Sequence, residues 1–214
     1  MLPAVASGLA LGLSLIVAIG AQNLFVLRQG IRREHTLAVA LVCAVSDALL
    51  IAIGVSGLGA VLHAVPWLID AVRWAGAVFL AVYALLAARR ALRPSGDVLG
   101  AGDESIEAGG SVAAPPTRGR QLPALLTCLA LTWLNPHVYL DTVFLLGSVA
   151  NTHGGDRWWF ALGATIASFL WFFGLALGAR YLARWLATPR AWRVLDAVIA
   201  VVMMAIAISL VWPR

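Results

Sequence analysis

The chain has 214 residues, of which 62% are hydrophobic and 12% charged, and its mean hydropathy is +0.91. Soluble domains carry about 25% charged residues, so this composition argues against a soluble enzyme. The net charge of +5 does not indicate a nucleic-acid partner at such a hydropathy. Two cysteines, Cys43 and Cys128, are too few for a disulfide scaffold.

Six apolar segments are long enough to cross a bilayer, which takes about 20 mostly apolar residues. They are 3–27, 37–62, 66–88, 122–146, 158–179 and 194–212. The first segment has no basic residues before it and is longer than the apolar part of a signal peptide, so it predicts a membrane span. The expected fold class is therefore an all-α polytopic membrane protein with six transmembrane helices.

The arginines are unevenly distributed over this arrangement. All 15 basic residues are Arg, and twelve of them follow the first, third or fifth span. Because cytoplasmic loops of membrane proteins are enriched in basic residues, the pattern places both termini outside the cytoplasm. We expect a multi-pass protein of the plasma (inner) membrane.

Residues 93–121 differ in composition from the rest of the chain, with six Gly, three Pro, four acidic residues and no aromatic residue. Such a segment cannot bury enough apolar surface to order itself. It predicts a flexible cytoplasmic linker between a three-helix repeat at 1–92 and a second repeat at 122–214. Because three spans is an odd number, the two repeats would be inverted, as in transporters with a site at the midplane.

Polar residues lie within the first two apolar spans. Gly20, Gln22 and Asn23 lie in the first, where they predict either an interrupted helix or contacts that hold helices together. Asp47, beside Ser46 in the second span, lies about 15 Å deep at 1.5 Å per residue, near the middle of the bilayer core. A carboxylate at that depth indicates a functional site, and a protonated structural Asp is the alternative.

The fourth span carries the largest group of polar residues, in the stretch 135–142. Pro136 removes a backbone donor, so the freed groups must line a cavity or meet another polar group. We therefore expect interrupted helices in spans 1 and 4. His137 and Asp141 are four residues apart and would share a helical face, where they could pair. A kinked helix with structural hydrogen bonds is the alternative.

The remaining polar residues predict less. The fifth span, with Thr165 and Ser168, is expected to serve mainly in packing. Asp196 lies near the start of the sixth span, where Arg193 is a candidate ion-pair partner. The four His and two Cys have no spacing typical of a metal site, so no metal is expected.

Three stretches resemble the LysE/ArgO family of basic amino-acid exporters, within the wider LysE superfamily. They are Gly20 to Gly30, Ser46-Asp47 and Asn135 to Thr142. Neutral amino-acid exporters of the superfamily tend to carry Pro-Gly-Pro in span 1 and Asn-Pro-Lys in span 4. This chain has Ile19-Gly20-Ala21 and His137 in those places, so it resembles the lysine and arginine branch.

The resemblance implies a secondary transporter that exports L-lysine or L-arginine, driven by the proton-motive force and without a cofactor. We expect six substrate-binding residues: Gln22, Asn23, Asn135, His137, Asp141 and Thr142. Asp47 is the expected site of proton and cation coupling, because a desolvated carboxylate takes up a proton more readily. The expected partners are the amino acid, protons and the lipid bilayer, with no nucleic acid, and a homo-oligomer is compatible with the sequence. The alternatives are export of neutral amino acids and a membrane thiol-redox carrier.

Overall fold

The computed structural model describes residues 1–17, 20–33, 35–57, 66–92, 121–183 and 188–212. Its elements in chain order are α1 (Leu2–Ile16), α2 (Ala21–Arg32), α3 (Thr36–Val55), α4 (Pro66–Leu92), α5 (Gln121–Trp133), α6 (Pro136–Val138), a π-helical segment (Tyr139–Leu145), α7 (Leu146–Thr152), a 3-10 turn (Gly154–Asp156), α8 (Arg157–Ala183) and α9 (Pro189–Val211). The predicted all-α class is confirmed. The linker expected at 93–121 lies outside the described residues, apart from Gln121 at the start of α5.

Four of the described helices are long and apolar enough to cross a membrane. They are α3, α4, α8 and α9. The α1–α2 pair adds a fifth crossing if the two bent helices form one span, and α5 is a shorter apolar helix. The arrangement of six spans in two repeats stays a prediction.

The first span is interrupted between α1 and α2, whose axes differ in direction by 82°. Gly20 has extended backbone angles there, with φ −121° and ψ 171°. Asn23 donates from its side-chain Nδ2 to the carbonyl of Ile16 at 2.8 Å. This bond satisfies a carbonyl at the end of α1 that would otherwise lack a helical donor. The predicted interruption is confirmed.

The second interruption lies between α5 and α6. Asn135 accepts a hydrogen bond on its side-chain Oδ1 from the backbone N–H of His137 at 3.1 Å, and Pro136 takes the first helical position, where it needs no N–H. The N–H of His137 would otherwise be the helical donor to the carbonyl of Trp133. The hydroxyl of Tyr139 donates to that carbonyl instead, at 2.8 Å. The predicted break in span 4 is therefore confirmed.

The helices pack in pairs that are distant in sequence. α9 packs along α4, and α1 packs along α8, which also contacts α2 and α3. α3 packs against α5, the π-helical segment and α7. Glycines allow the close approach, as is common between membrane helices. A Cβ atom at Gly54 of α3 would lie 2.7 Å from the carbonyl oxygen of Val143.

Charged residues mark one end of the helix bundle. The predicted pairing of Asp196 with Arg193 is wrong. Asp196 Oδ1 lies 3.2 Å from Arg28 Nη2 and 3.6 Å from Arg90 Nε, and the Nε of Arg193 donates to the carbonyl of Ala91 at 2.9 Å. Residues at i and i+3 do neighbour each other on a helix, but here tertiary packing brings two other arginines to the carboxylate. Arg28, Arg90 and Arg193, which the sequence places on the same side of the membrane, thus lie at the same end of the helix bundle.

Candidate functional site

Asp47 is the central residue of the candidate site. Its residue is 6% exposed, and its Oδ2 accepts a hydrogen bond from the hydroxyl of Ser168 at 2.8 Å. Among the residues that the structure describes, no Arg or His forms an ion pair with it. A buried carboxylate with one hydroxyl donor and no cation can take up a proton or a cationic group.

The residue before Asp47 links it to the second interruption. Trp133, the last residue of α5, donates from its indole Nε1 to the hydroxyl of Ser46 at 3.3 Å. The carbonyl of the same Trp133 accepts from Tyr139 beyond the break. The break in the fourth span is therefore held against α3 beside Asp47.

The helix that carries Ser168 links Asp47 to the first interruption. Trp171, one turn further along α8, donates from its indole Nε1 to Asn23 Oδ1 at 3.2 Å. Asn23 in turn donates to the end of α1. These bonds hold both interruptions against the stretches of α3 and α8 that carry Asp47 and Ser168. We call the residues involved the Asp47 network: Asn23, Ser46, Asp47, Trp133, Tyr139, Ser168 and Trp171.

Gln22 lies close to this network. Its side chain is beside the thiol of Cys43, which is one turn before Asp47 on α3 and also neighbours the thiol of Cys128. The Nε2 atom of Gln22 is buried and has no hydrogen-bond partner in the described part of the chain. The structure thus places a buried amide group, beside the Cys43 thiol, one helical turn from Asp47.

The other predicted site residues lie further along the fourth span. His137 is half-buried beside the second interruption, next to its cap Asn135, while the side chain of Asp141 is exposed. Although both are described, no ion pair joins them. The chain becomes π-helical at Tyr139, and the wider i to i+5 spacing moves residues four apart onto different faces. Their predicted pairing is therefore not formed.

Thr142 is half-buried in the π-helical segment. Its carbonyl faces Gly54, two turns along α3 from Asp47, since a Cβ atom there would lie 3.0 Å from the Thr142 oxygen. Of the predicted residues, Gln22, Asn23 and Asp47 therefore gather around α3 and α8. Thr142 and Asp141 belong to a separate level of the same helix bundle.

The sequence did not single out three members of the Asp47 network. Trp133 and Trp171 give a weak signal, since a buried indole N–H usually needs an acceptor. Ser168 was expected to serve in packing, and it is buried, but it also donates to Asp47. Within the described ranges, no three His, Cys, Asp or Glu side chains come together as metal ligands would.

Comparison with known proteins identifies the family of this chain. The family described as LysE type translocator matches residues 13–213. A protein of Mycobacterium tuberculosis (strain ATCC 25618 / H37Rv) with the name "Putative amino-acid transporter" is 47% identical over 196 residues, which is 92% of this chain and 90% of its own. No solved structure matches the chain.

Two further relatives have a more specific name. The "Arginine exporter protein ArgO" of Klebsiella pneumoniae subsp. pneumoniae is 46% identical over 204 residues, 95% of this chain and 90% of its own. The protein of the same name from Salmonella schwarzengrund is 44% identical over the same shares. Since the family match covers nearly the whole sequence, this chain belongs to the LysE type translocator family and is a multi-pass membrane transporter, not an enzyme.

Proposed function

We propose that this chain exports the basic amino acids L-arginine and L-lysine from the cytoplasm in exchange for protons. The observation that carries the proposal is the buried Asp47, which has a hydroxyl partner and no cation partner in the described residues. Relatives that are 44% and 46% identical bear the name of arginine exporters, which supports a basic substrate.

The chemistry of a basic amino acid fits the groups around Asp47. Such a molecule has one carboxylate, one ammonium group and a cationic side chain, so its net charge is about +1. In this proposal Asp47 binds a cationic group and the buried amide of Gln22, beside Cys43, binds the carboxylate. Asn135 and His137 supply further polar groups from the second interruption. Both ends of the Asn23 amide already bind protein groups, so we assign Asn23 to holding the first interruption.

Coupling to protons follows from the cost of moving charge. Export of a cation against a membrane potential that is negative inside costs about 2.3 kcal/mol per 100 mV for each charge. Exchange for one proton makes the cycle electroneutral. Asp47 is our candidate for binding the proton and the cation in turn, because both stabilise a carboxylate that is kept away from water.

The packing of the helices supports two inverted three-helix repeats. α1 and α2 pack on α8, as α5 and α7 pack on α3. The matching spans of the two halves also pack on each other, α3 on α8 and α4 on α9. In this arrangement Asp47 and Ser168 meet where the repeats meet, and we propose that both termini lie outside the cytoplasm of the plasma membrane.

The test is exchange of labelled arginine in proteoliposomes that contain the purified full chain. Unlabelled lysine, canavanine and ornithine should compete with arginine, while threonine and leucine should not. An imposed pH gradient should accelerate arginine movement toward the side with more protons. Competition by leucine as strong as by lysine would favour a neutral amino-acid exporter, and indifference to the pH gradient would rule out proton antiport.

One observation favours the thiol-redox alternative, which is the adjacency of the Cys43 and Cys128 thiols on α3 and α5. Neither cysteine lies in a Cys-x-x-Cys motif, and a buried free Cys commonly serves as a small apolar residue. The double variant Cys43→Ser/Cys128→Ser separates the two functions. Export of arginine by this variant would exclude a role for thiol chemistry, whereas a folded variant without export would support one.

A further inference from the structure

The ion pairs of Asp196 form a second polar centre, apart from the Asp47 network. We call Arg28, Arg90 and Asp196 the Asp196 cluster; they come from α2, α4 and α9. The side chains of Arg28 and Asp196 are only 7% and 10% exposed. Two guanidinium groups face one carboxylate, and Arg32, one turn beyond Arg28, adds to the positive potential at Arg90. The described part of the cluster therefore has a surplus of positive charge.

Several hydrogen-bond donors of this cluster are unused. Arg28 Nε, Arg90 Nε and Arg90 Nη2 are buried and, like the Asp196 Oδ1 that they face, have no hydrogen-bond partner within the described residues. A buried donor without an acceptor lowers the stability of a protein, and a charged donor does so more than a neutral one. Arginine side chains normally meet this requirement with the oxygens of carboxylates or phosphates, which match the planar guanidinium.

Arg90 is held in position by its neighbours. Its guanidinium lies over the ring of Tyr83 at 5.7 Å, and Tyr83 packs edge-on against Phe25 with ring centroids 6.3 Å apart. The side chain of Arg90 is 37% exposed, in contrast to that of Arg28. The cluster is therefore accessible from the side of Arg90, with Arg28 at its buried end.

We propose that the Asp196 cluster is a second ligand site, which binds the α-carboxylate of an amino acid through Arg28 and Arg90 and its ammonium group through Asp196. The identity of the amino acid rests on the proposed function. A basic amino acid has a group for each centre. Its carboxylate suits the two arginines of the cluster, and a cationic group suits Asp47, which has no cation partner among the described residues. The site lies at the Arg-rich end of the bundle, where a substrate leaving the cytoplasm would enter.

The experiment compares arginine with argininamide, which keeps both cationic groups and lacks the carboxylate. Binding of each to the detergent-solubilised full chain is measured by calorimetry for the wild type, Arg90→Gln and Arg89→Gln. We expect Arg90→Gln to raise the Kd of arginine about tenfold, as for a lost charged hydrogen bond. The Kd of argininamide should not rise, because this ligand has no carboxylate for Arg90 to bind. Arg89 is the matched control, since it is the adjacent, exposed residue of α4, and its variant should change neither value.

A purely structural cluster would give a different result. Arg90→Gln would then weaken arginine and argininamide equally, which would overturn the proposal. Arg90→Lys keeps the charge and should restore part of the preference for arginine. The melting temperature of each variant shows whether the protein remains folded, and a preference lost only through unfolding would also overturn the proposal.

The phosphate of an anionic lipid headgroup has the same chemistry as a carboxylate at this end of the bundle. Binding is therefore repeated in nanodiscs of phosphatidylcholine with and without phosphatidylglycerol. An Arg90-dependent effect of phosphatidylglycerol, without any preference for arginine over argininamide, would assign the cluster to lipid. The proposed function can fail separately: if the wild type transports no arginine but prefers leucine to leucinamide through Arg90, the site stands and the substrate is wrong.

Discussion

The hydroxyl of Ser168 donates a hydrogen bond to Asp47 Oδ2 at 2.8 Å, and this bond joins α8 to α3 inside the helix bundle. The two residues are 121 positions apart in the sequence. Their neighbours Ser46 and Trp171 bind Trp133 and Asn23 at the two helix interruptions. A change in the protonation of Asp47 would thus affect the part of α3 and α8 to which both interrupted spans are hydrogen-bonded.

Replacement of Asp47 by Asn should abolish arginine efflux driven by a pH gradient, because an amide neither takes up a proton nor attracts a cation. Ser168→Ala should slow exchange by about tenfold, as expected for one hydrogen bond to a charged group, without abolishing it. Both are measured as labelled arginine efflux from proteoliposomes. Asp70→Asn is the control, since it removes a carboxylate of the same kind whose side chain is exposed on α4, away from the Asp47 network. Full activity of Asp47→Asn would remove Asp47 from the mechanism.

Asp141→Asn should impair basic substrates more than neutral ones, since the exposed carboxylate on the π-helical segment would attract cations. The measurement is the ratio of the KM values for arginine and leucine. We expect the KM of arginine to rise several-fold. A loss that is equal for both substrates would indicate that Asp141 has a structural role.

Gly54→Ala should destabilise the protein, because the new methyl group would lie 2.7 Å from the carbonyl oxygen of Val143. Overpacking of this kind costs about 1–3 kcal/mol. Thermal unfolding in detergent should show a lower Tm than the wild type. Gly174→Ala is the matched control, since a Cβ atom at Gly174 meets no atom within 4 Å. Equal Tm values for the two variants would contradict the close packing of α3 on the π-helical segment.

Tyr139→Phe should also lower stability, by about 1–3 kcal/mol, because it leaves the carbonyl of Trp133 without the hydroxyl that donates to it. Tyr181→Phe provides the comparison, as Tyr181 is 74% exposed. The Tm of the first variant should fall and that of the second should stay unchanged. An unchanged Tm in both would mean that Tyr139 does not hold the second interruption.

Much of the local structure could be predicted from the sequence. Gly20 and Pro136 mark the two interruptions, because the missing side chain and the missing N–H weaken a helix wherever they occur. The predicted pair of His137 and Asp141 is not formed, because the π-helical segment changes the spacing of residues along the helix.

The sequence by itself determined the all-α class, the two helix breaks and a carboxylate inside an apolar helix, since each depends on residues that are close in the chain. Only the tertiary structure decided which groups meet that carboxylate and which arginines surround Asp196. Ser168 reaches Asp47, and Arg28 reaches Asp196, through contacts between helices from opposite ends of the chain. Such contacts depend on how the helices pack against each other, and the hydrophobic pattern of a single span carries no information about its partner.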